Sequence, residues 1–285
     1  MFLIQADRVS FAYPDSPVPI LREVTFSVSP GELVGLIGPS GSGKTTLVKQ
    51  LNGLLRPTGG RILLHGRDTG ARRFPRTELR RHVGLVFQYP EQQLFKKTVL
   101  EDAMFGPLNL GIPREEARRA AREALSLVGL GLEYETRSPL ELSGGEMRLA
   151  AIAGVLAMEP ELLILDEPAA GLDPAAKERM LALLQSLRAR RGTAVVLVSH
   201  SMEDIAARAD RVLVLSGGCL LGDAPPARVF QETGRMRELG TGVPGITAAA
   251  EELRRRGVPL PVLPVTVPEA VDCFAAALRE GRHAP

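Results

Sequence analysis

Cysteine is nearly missing from this 285-residue chain. Cys219 and Cys273 are the only two, too few for a disulfide framework and spaced for no metal knuckle. A reducing compartment is the simpler setting for such a chain. A large excess of charge of one sign is missing too: the formal net charge is +2, which gives no strong electrostatic case for a nucleic-acid partner. No apolar run approaches the ~18 residues that a membrane-spanning helix needs, and Met1 to Ser10 lacks the basic and apolar regions expected of a secretion signal. Lysine is scarce, occurring only at Lys44, Lys49, Lys96, Lys97 and Lys177, so a lysine inside a motif stands out. Apolar residues, in contrast, make up 45% of the chain, enough to bury a sizeable core. The length suits one large domain with an appendage, or two small domains.

The chain is organised around GPSGSGKTT, the run Gly38, Pro39, Ser40, Gly41, Ser42, Gly43, Lys44, Thr45, Thr46. It contains G-x-x-x-x-G-K-[ST], follows a buried-strand pattern (Leu33 to Ile37) and precedes a helical one (Thr45 to Leu54). That setting is what a phosphate-binding loop requires. Glycines let successive N–H groups point at phosphate oxygens, and the helix N-terminus adds partial positive charge. Lys44 reaches the β- and γ-phosphates and the Thr45 hydroxyl can hold Mg²⁺.

Around this stretch the pattern alternates between strand and helix. Phe2 to Ile4 and Val9 to Tyr13 read as strand segments, as does Ile20 to Val28. Tyr13 is either a strand aromatic or a π-face for a nucleotide base. Val83 to Phe87 and Leu162 to Leu165 are continuous apolar runs, predicting strands buried on both faces, and Thr193 to Val198 reads as another buried strand. Between about 96 and 157 helix signals dominate. Glu115 to Val128 shows an alanine-rich stripe with Arg118, Arg119 and Arg122 outside it, expected to be a solvated face. Asp173 and Pro174 open a further helix that Gly192 ends, and Gly217–Gly218 turns a hairpin. Beyond about 234, two short helices (248–256 and 268–280) flank a proline-rich link.

Polar residues recur where the apolar runs end. Asp166 and Glu167 close one, Gln88 another and His200 a third. Open parallel sheets place ligands at such strand ends. In that setting Asp166 can hold Mg²⁺, Glu167 can polarise an attacking water, Gln88 can contact the metal or that water, and His200 can reach the γ-phosphate. A second cradle follows at Leu142, Ser143, Gly144, Gly145, Glu146, where a serine and two glycines precede an apolar helix. One chain needs one phosphate cradle, so the second points to a partner's nucleotide.

These motifs resemble those of the ATP-binding subunits of ABC transporters. GPSGSGKT is similar to their Walker A, LLILDE to Walker B and LSGGE to the signature motif. Gly171, Leu172 and Asp173 match the D-loop, Gln88 the Q-loop, His200 the switch histidine and Tyr13 the adenine-stacking position. VGLVFQYPEQQLF, FGPLNLGI and AAIAGVLAMEP look more narrowly like the ATPases of energy-coupling factor (ECF) transporters, importers of vitamins, cobalt and nickel. Glu146, Leu149 and Ala169 depart from the residues usual at those places.

The resemblance implies an α/β P-loop ATPase core, a mixed sheet flanked by helices. Residues 1–235 would form it, with a helical subdomain at about 96–157, and 236–285 a small α+β appendage. It implies ATP and Mg²⁺, with Thr45, Gln88 and Asp166 near the metal. The implied partners are a second ATPase subunit (the same chain or a sister), a transmembrane coupling protein and a substrate-binding membrane subunit, placing the chain on the cytoplasmic face of the membrane. Tyr89, Leu94 and Phe95, with Glu91, Glu101 and Asp102 as candidate acidic acceptors, are the expected docking surface, unless Leu94 or Phe95 simply pins the segment to the core. The alternative is an ABC ATPase without a transport role. The signature motif argues against a P-loop kinase or GTPase.

Overall fold

The computed structural model describes residues 2–281 apart from residues 15, 17 and 171. In chain order the strands are β1 (Ile4–Phe11), β2 (Leu21–Val28), β3 (Leu33–Ile37), β4 (Gly59–Leu64), β5 (Arg67–Asp68), β6 (Val83–Val86), β7 (Leu162–Asp166), β8 (Ala194–Val198), β9 (Arg211–Ser216) and β10 (Cys219–Ala224). The helices are α1 (Lys44–Leu51), α2 (Arg76–His82), α3 (Val99–Asn109), α4 (Arg114–Leu127), α5 (Gly144–Leu156), α6 (Pro174–Arg191), α7 (Met202–Arg208), α8 (Pro226–Val229), α9 (Thr233–Glu238), α10 (Gly245–Arg255) and α11 (Val267–Gly281). Among the described residues no helix is long and apolar enough to cross a membrane. The chain forms two compact units, Met1–Glu32 with Thr45–Val196, and Leu33–Lys44 with Leu197–Pro285.

In the first unit, β2, β1, β4 and β5 form an antiparallel sheet in that order. The two segments read separately at 2–4 and 9–13 meet in one strand, β1, which holds Ile4 of the first and Val9 to Phe11 of the second and leaves Phe2, Leu3, Ala12 and Tyr13 outside. Its register slips between Ala6 and Val9, where Arg8 adopts φ +49° and donates its N–H to Thr25 Oγ1 at 2.9 Å. A bulge of this kind breaks the two-residue alternation that marks a continuous strand. Strands β6 and β7 pair in parallel and are buried at every position, as their unbroken apolar runs predict.

Helix α4 buries Ala117, Ala121, Ala124 and Leu125 against its neighbours. Its outer arginines are not all merely solvated. Arg122 forks onto the Glu135 carboxylate at 2.9 and 2.8 Å, and Glu135 is itself buried. Helix α6 begins and ends as its sequence dictates: Asp173 Oδ1 accepts the Ala176 N–H at 2.9 Å, and Gly192 takes φ +66° at the C-terminus.

In the second unit, β3 pairs with β9 in parallel, and β9 with β10 antiparallel across Gly217 and Gly218, both at positive φ. The pairings are thus mixed, as expected of the fold. Beyond β10 the described residues form helices only, so the expected α+β appendage is helical. Pro259, Pro261 and Pro264 remove the N–H donors a strand ladder needs. Side chains fasten the link instead. The Gln231 amide brackets Leu263, donating to its C=O at 2.6 Å and accepting its N–H at 3.0 Å, while Thr247 Oγ1 donates to the Pro264 C=O at 2.7 Å. Ala250, Leu260, Leu263 and Ala277 form a small core there, with Cys273 against it. Both cysteines are free thiols.

Candidate functional site

In the second unit β3 is buried throughout and delivers the chain to Gly38. Its φ is +154°, and a Cβ there would lie 2.0 Å from the Leu215 carbonyl oxygen, so only glycine fits. Gly41 and Gly43 keep the loop at positive φ. The Lys44 ammonium donates to the carbonyls of Gly38 at 2.7 Å and Pro39 at 3.0 Å, which sets its charge inside the loop. Ser42 Oγ is buried without a hydrogen-bond partner among the described residues, and a Cβ at Gly41 would face open space. A buried hydroxyl without a partner, on a glycine-rich loop that also holds an ammonium, fits phosphate oxygens.

In the first unit, Thr45 Oγ1 donates to Asp166 Oδ2 at 2.8 Å. Asp166 ends β7 and is only 4% exposed. A hydroxyl against a carboxylate is a donor set suited to Mg²⁺. Glu167 follows at φ +53°, a left-handed backbone that costs a non-glycine residue roughly 1–3 kcal/mol and gathers at functional sites. Gln88 lies exposed just past the end of β6. Tyr13 follows β1, half exposed, with its ring edge-on to Phe11 at 4.8 Å. His200 lies exposed after β8, in the second unit. The structure therefore brings Thr45 to Asp166, and sets Gln88, Glu167 and His200 each just past its strand.

Ser143 is the N-cap of α5, whose first residues are Gly144 and Gly145. Its backbone N–H and Oγ both donate to Glu146 Oε2, at 2.8 and 2.7 Å, and Tyr134 donates to Glu146 Oε1 at 2.7 Å. The Tyr134 bond first, then those from Ser143, hold the Glu146 carboxyl below its usual range. Ser143 and Gly144 are exposed, and a Cβ on Gly144 would meet nothing within 4 Å. Leu172 lies against Gly145. The Ala176 N–H, foremost, keeps the Asp173 carboxyl low. Gly171 lies outside the described residues.

Comparison with known proteins gives the family. The ABC transporter family model matches residues 21–170. The energy-coupling factor transporter ATP-binding protein EcfA2 of Caldanaerobacter subterraneus is 45% identical, the match covering 97% of this chain and 98% of that protein. The chain belongs to the ABC transporter family. Within it, this is an ATP-binding subunit of the energy-coupling factor type, an ATPase that drives transport. The solved structure of cbiO1 from Clostridium perfringens, part of the ABC transporter complex cbiONQ, superposes with TM-score 0.73 at 32% identity, covering 84% of this chain and 94% of that one. A dimeric post-hydrolysis state of the ATP-binding cassette MJ0796, bound to ADP and Pi, gives TM-score 0.71 at 27% identity over 78% and 98% of the two chains.

One residue of this ABC ATPase escaped the reading of the sequence. Arg148, buried in α5, faces Glu91 at 3.4 Å and donates to the Ala170 carbonyl. It ties the segment after Gln88, the signature helix and the segment after Glu167 to one guanidinium. The available signal was a lone cation inside the apolar run Met147 to Leu156, since a buried arginine demands acceptors. Two expected docking acceptors are corrected accordingly. Glu91 is committed to Arg148. Asp102 is buried and accepts the N–H groups of Phe95 and Lys96, its burial raising the carboxyl's pKa. Glu101 stays exposed.

Proposed function

We propose that this ATPase works as one of a pair, with an identical copy or a sister subunit, and powers a membrane importer of vitamins or transition-metal ions. The observation that carries the reading is the cradle of Ser143, Gly144 and Gly145 at the start of α5, open to solvent at Ser143 and Gly144. It duplicates a function the Gly38–Thr46 loop already serves, and it finds its use against a partner's nucleotide. In this reading Walker A (Gly38 to Thr46) grips the phosphates of ATP and Tyr13 meets the base. Mg²⁺, held by Thr45, Asp166 and Gln88, would neutralise phosphate charge when bound. Glu167 orients and deprotonates the attacking water, and His200 contacts the γ-phosphate. Leu172 and Asp173 line the pair's interface. Residues 1–235 are the ATPase domain, 236–285 an appendage, and the chain sits at the cytoplasmic membrane face.

Glu146 tunes the paired site. Its carboxylate takes up the Ser143 hydroxyl that would otherwise serve the partner's γ-phosphate, and it adds negative charge there. Glu146→Gln keeps an acceptor for Tyr134 and removes the charge. We expect ATP turnover of the assembled pair to rise roughly 3- to 10-fold at low salt, with a smaller gain at high salt. An unchanged or lower rate at both salt levels would count against this role.

A transmembrane coupling protein and a substrate-binding membrane subunit complete the assembly. Docking falls on exposed aromatic rings after Gln88. Tyr89 is 52% exposed, Phe95 62% and Phe105 37%. Phe95 and Phe105 meet edge to face at 4.8 Å, with the Lys96 ammonium over both. Exposed aromatics next to a site that senses γ-phosphate suit a coupling surface. Phe95→Ser with Phe105→Ser should lower membrane co-purification and transport about 10-fold or more, while the isolated chain binds ATP normally. Full assembly by this variant would place docking elsewhere, and loss of ATP binding would show that the rings hold the core.

A further inference from the structure

The chain contains four histidines, and two of them converge on one carboxylate outside the nucleotide machinery. His65 Nε2 lies 3.0 Å from Glu161 Oε2, and His82 Nδ1 lies 2.8 Å from Glu161 Oε1. One ligand atom from each residue falls within 4.8 Å of the others. The imidazole rings stand nearly perpendicular, 5.5 Å apart. Three separate segments of the first unit supply them. His65 opens the turn between β4 and β5 at φ +48°, with its N–H bonded to the Leu3 carbonyl at 2.9 Å. His82 is the last residue of α2. Glu161 immediately precedes β7, and its carbonyl accepts the Ala194 N–H at 2.8 Å. Bonded turns, a helix end and a strand start hold all three backbones, so the triad is preorganised.

We propose that His65, His82 and Glu161 form a binding site for a divalent transition-metal ion of the Zn²⁺, Co²⁺ or Ni²⁺ class. Two imidazoles and one carboxylate select such borderline ions over Mg²⁺ and Ca²⁺, which take oxygen ligands. A tetrahedral ion with ligands at about 2.0–2.1 Å spaces its donors roughly 3.3–3.5 Å apart, so small side-chain rotations suffice. The side chains are 26–47% exposed, which provides an entry path and leaves a fourth position for water. The bound ion joins the β4–β5 turn, α2 and the start of β7. It is independent of ATP, because none of its ligands belongs to the nucleotide motifs.

The test uses the untagged full chain, stripped with a chelator and titrated with Zn²⁺ and with Co²⁺ in millimolar Mg²⁺. The site takes one ion per chain, with micromolar or tighter affinity. Zn²⁺ at about 100 times its Kd raises Tm by about 5 °C. His65→Asn and His82→Asn each weaken binding about 100-fold or more and abolish the Tm shift. X-ray absorption at the zinc edge of the unmodified chain counts two imidazoles, a result that needs no variant to fold. The proposal is overturned if the unmodified chain binds no more metal than the His65→Asn/His82→Asn double variant. It is equally overturned if Mg²⁺ displaces Zn²⁺ at similar concentration, or if the edge spectrum shows oxygen ligands alone. In each case the triad is a hydrogen-bonded bracket and nothing more.

Discussion

Glu167→Gln is expected to leave ATP bound and to lower hydrolysis about 100-fold or more. The substitution keeps the size and the hydrogen-bonding reach of the side chain and removes only the base, whose contribution in such reactions is about 10²–10⁴-fold. Glu167 stands directly after Asp166, whose carboxylate already engages Thr45 at 2.8 Å. Its left-handed backbone, φ +53°, is a conformation glutamine adopts at the same cost, so the change isolates the carboxylate. The measurement is steady-state ATPase rate together with ATP-dependent pairing by sedimentation, since a chain that binds but does not hydrolyse should accumulate in the paired state. Glu167→Gly supplies a check on the strain. It relieves the positive φ, so Tm should not fall even though turnover does. A Gln variant with near-normal turnover would remove Glu167 from the role of base.

Lys44→Ala is expected to lose affinity as well as rate. The ammonium donates to two loop carbonyls, Gly38 at 2.7 Å and Pro39 at 3.0 Å, and is largely buried. Its position shapes the Gly38–Lys44 loop, and in the proposed reading it also offers charge to phosphate. Hydrogen bonds to charged groups are worth roughly 1.5–3 kcal/mol, so ATP affinity should fall about 10- to 100-fold, measured by direct titration. ATP binding unchanged from the parent chain would contradict this. A fall in affinity with Tm preserved would assign the loss to the phosphate contact, and a fall in both would assign part of it to the loop.

Local chemistry is what the sequence by itself determined. The strand ending at Ile37, the glycines after it, the Asp173 cap and the Gly192 stop are short-range facts, set by φ preferences, unpaired N–H groups and runs of apolar residues. Each reappears in the structure within a residue or two. The same holds for Ser143, whose capping of α5 follows from serine, two glycines and a carboxylate in four consecutive positions. The tertiary structure alone decided which distant side chains meet. It joined two strand segments into β1 by tucking Arg8 into a bulge, and it turned Arg122 from a solvated charge into a fork on Glu135. It turned Glu91 onto Arg148 and buried Asp102 beneath the N–H groups of Phe95 and Lys96. It also set His65 and His82 on Glu161, across 79 residues of chain between the nearer pair. Periodicity records which face of an element is buried. It carries no record of the partner a long polar side chain will reach once the elements pack, because that choice depends on distances that exist only in the folded chain.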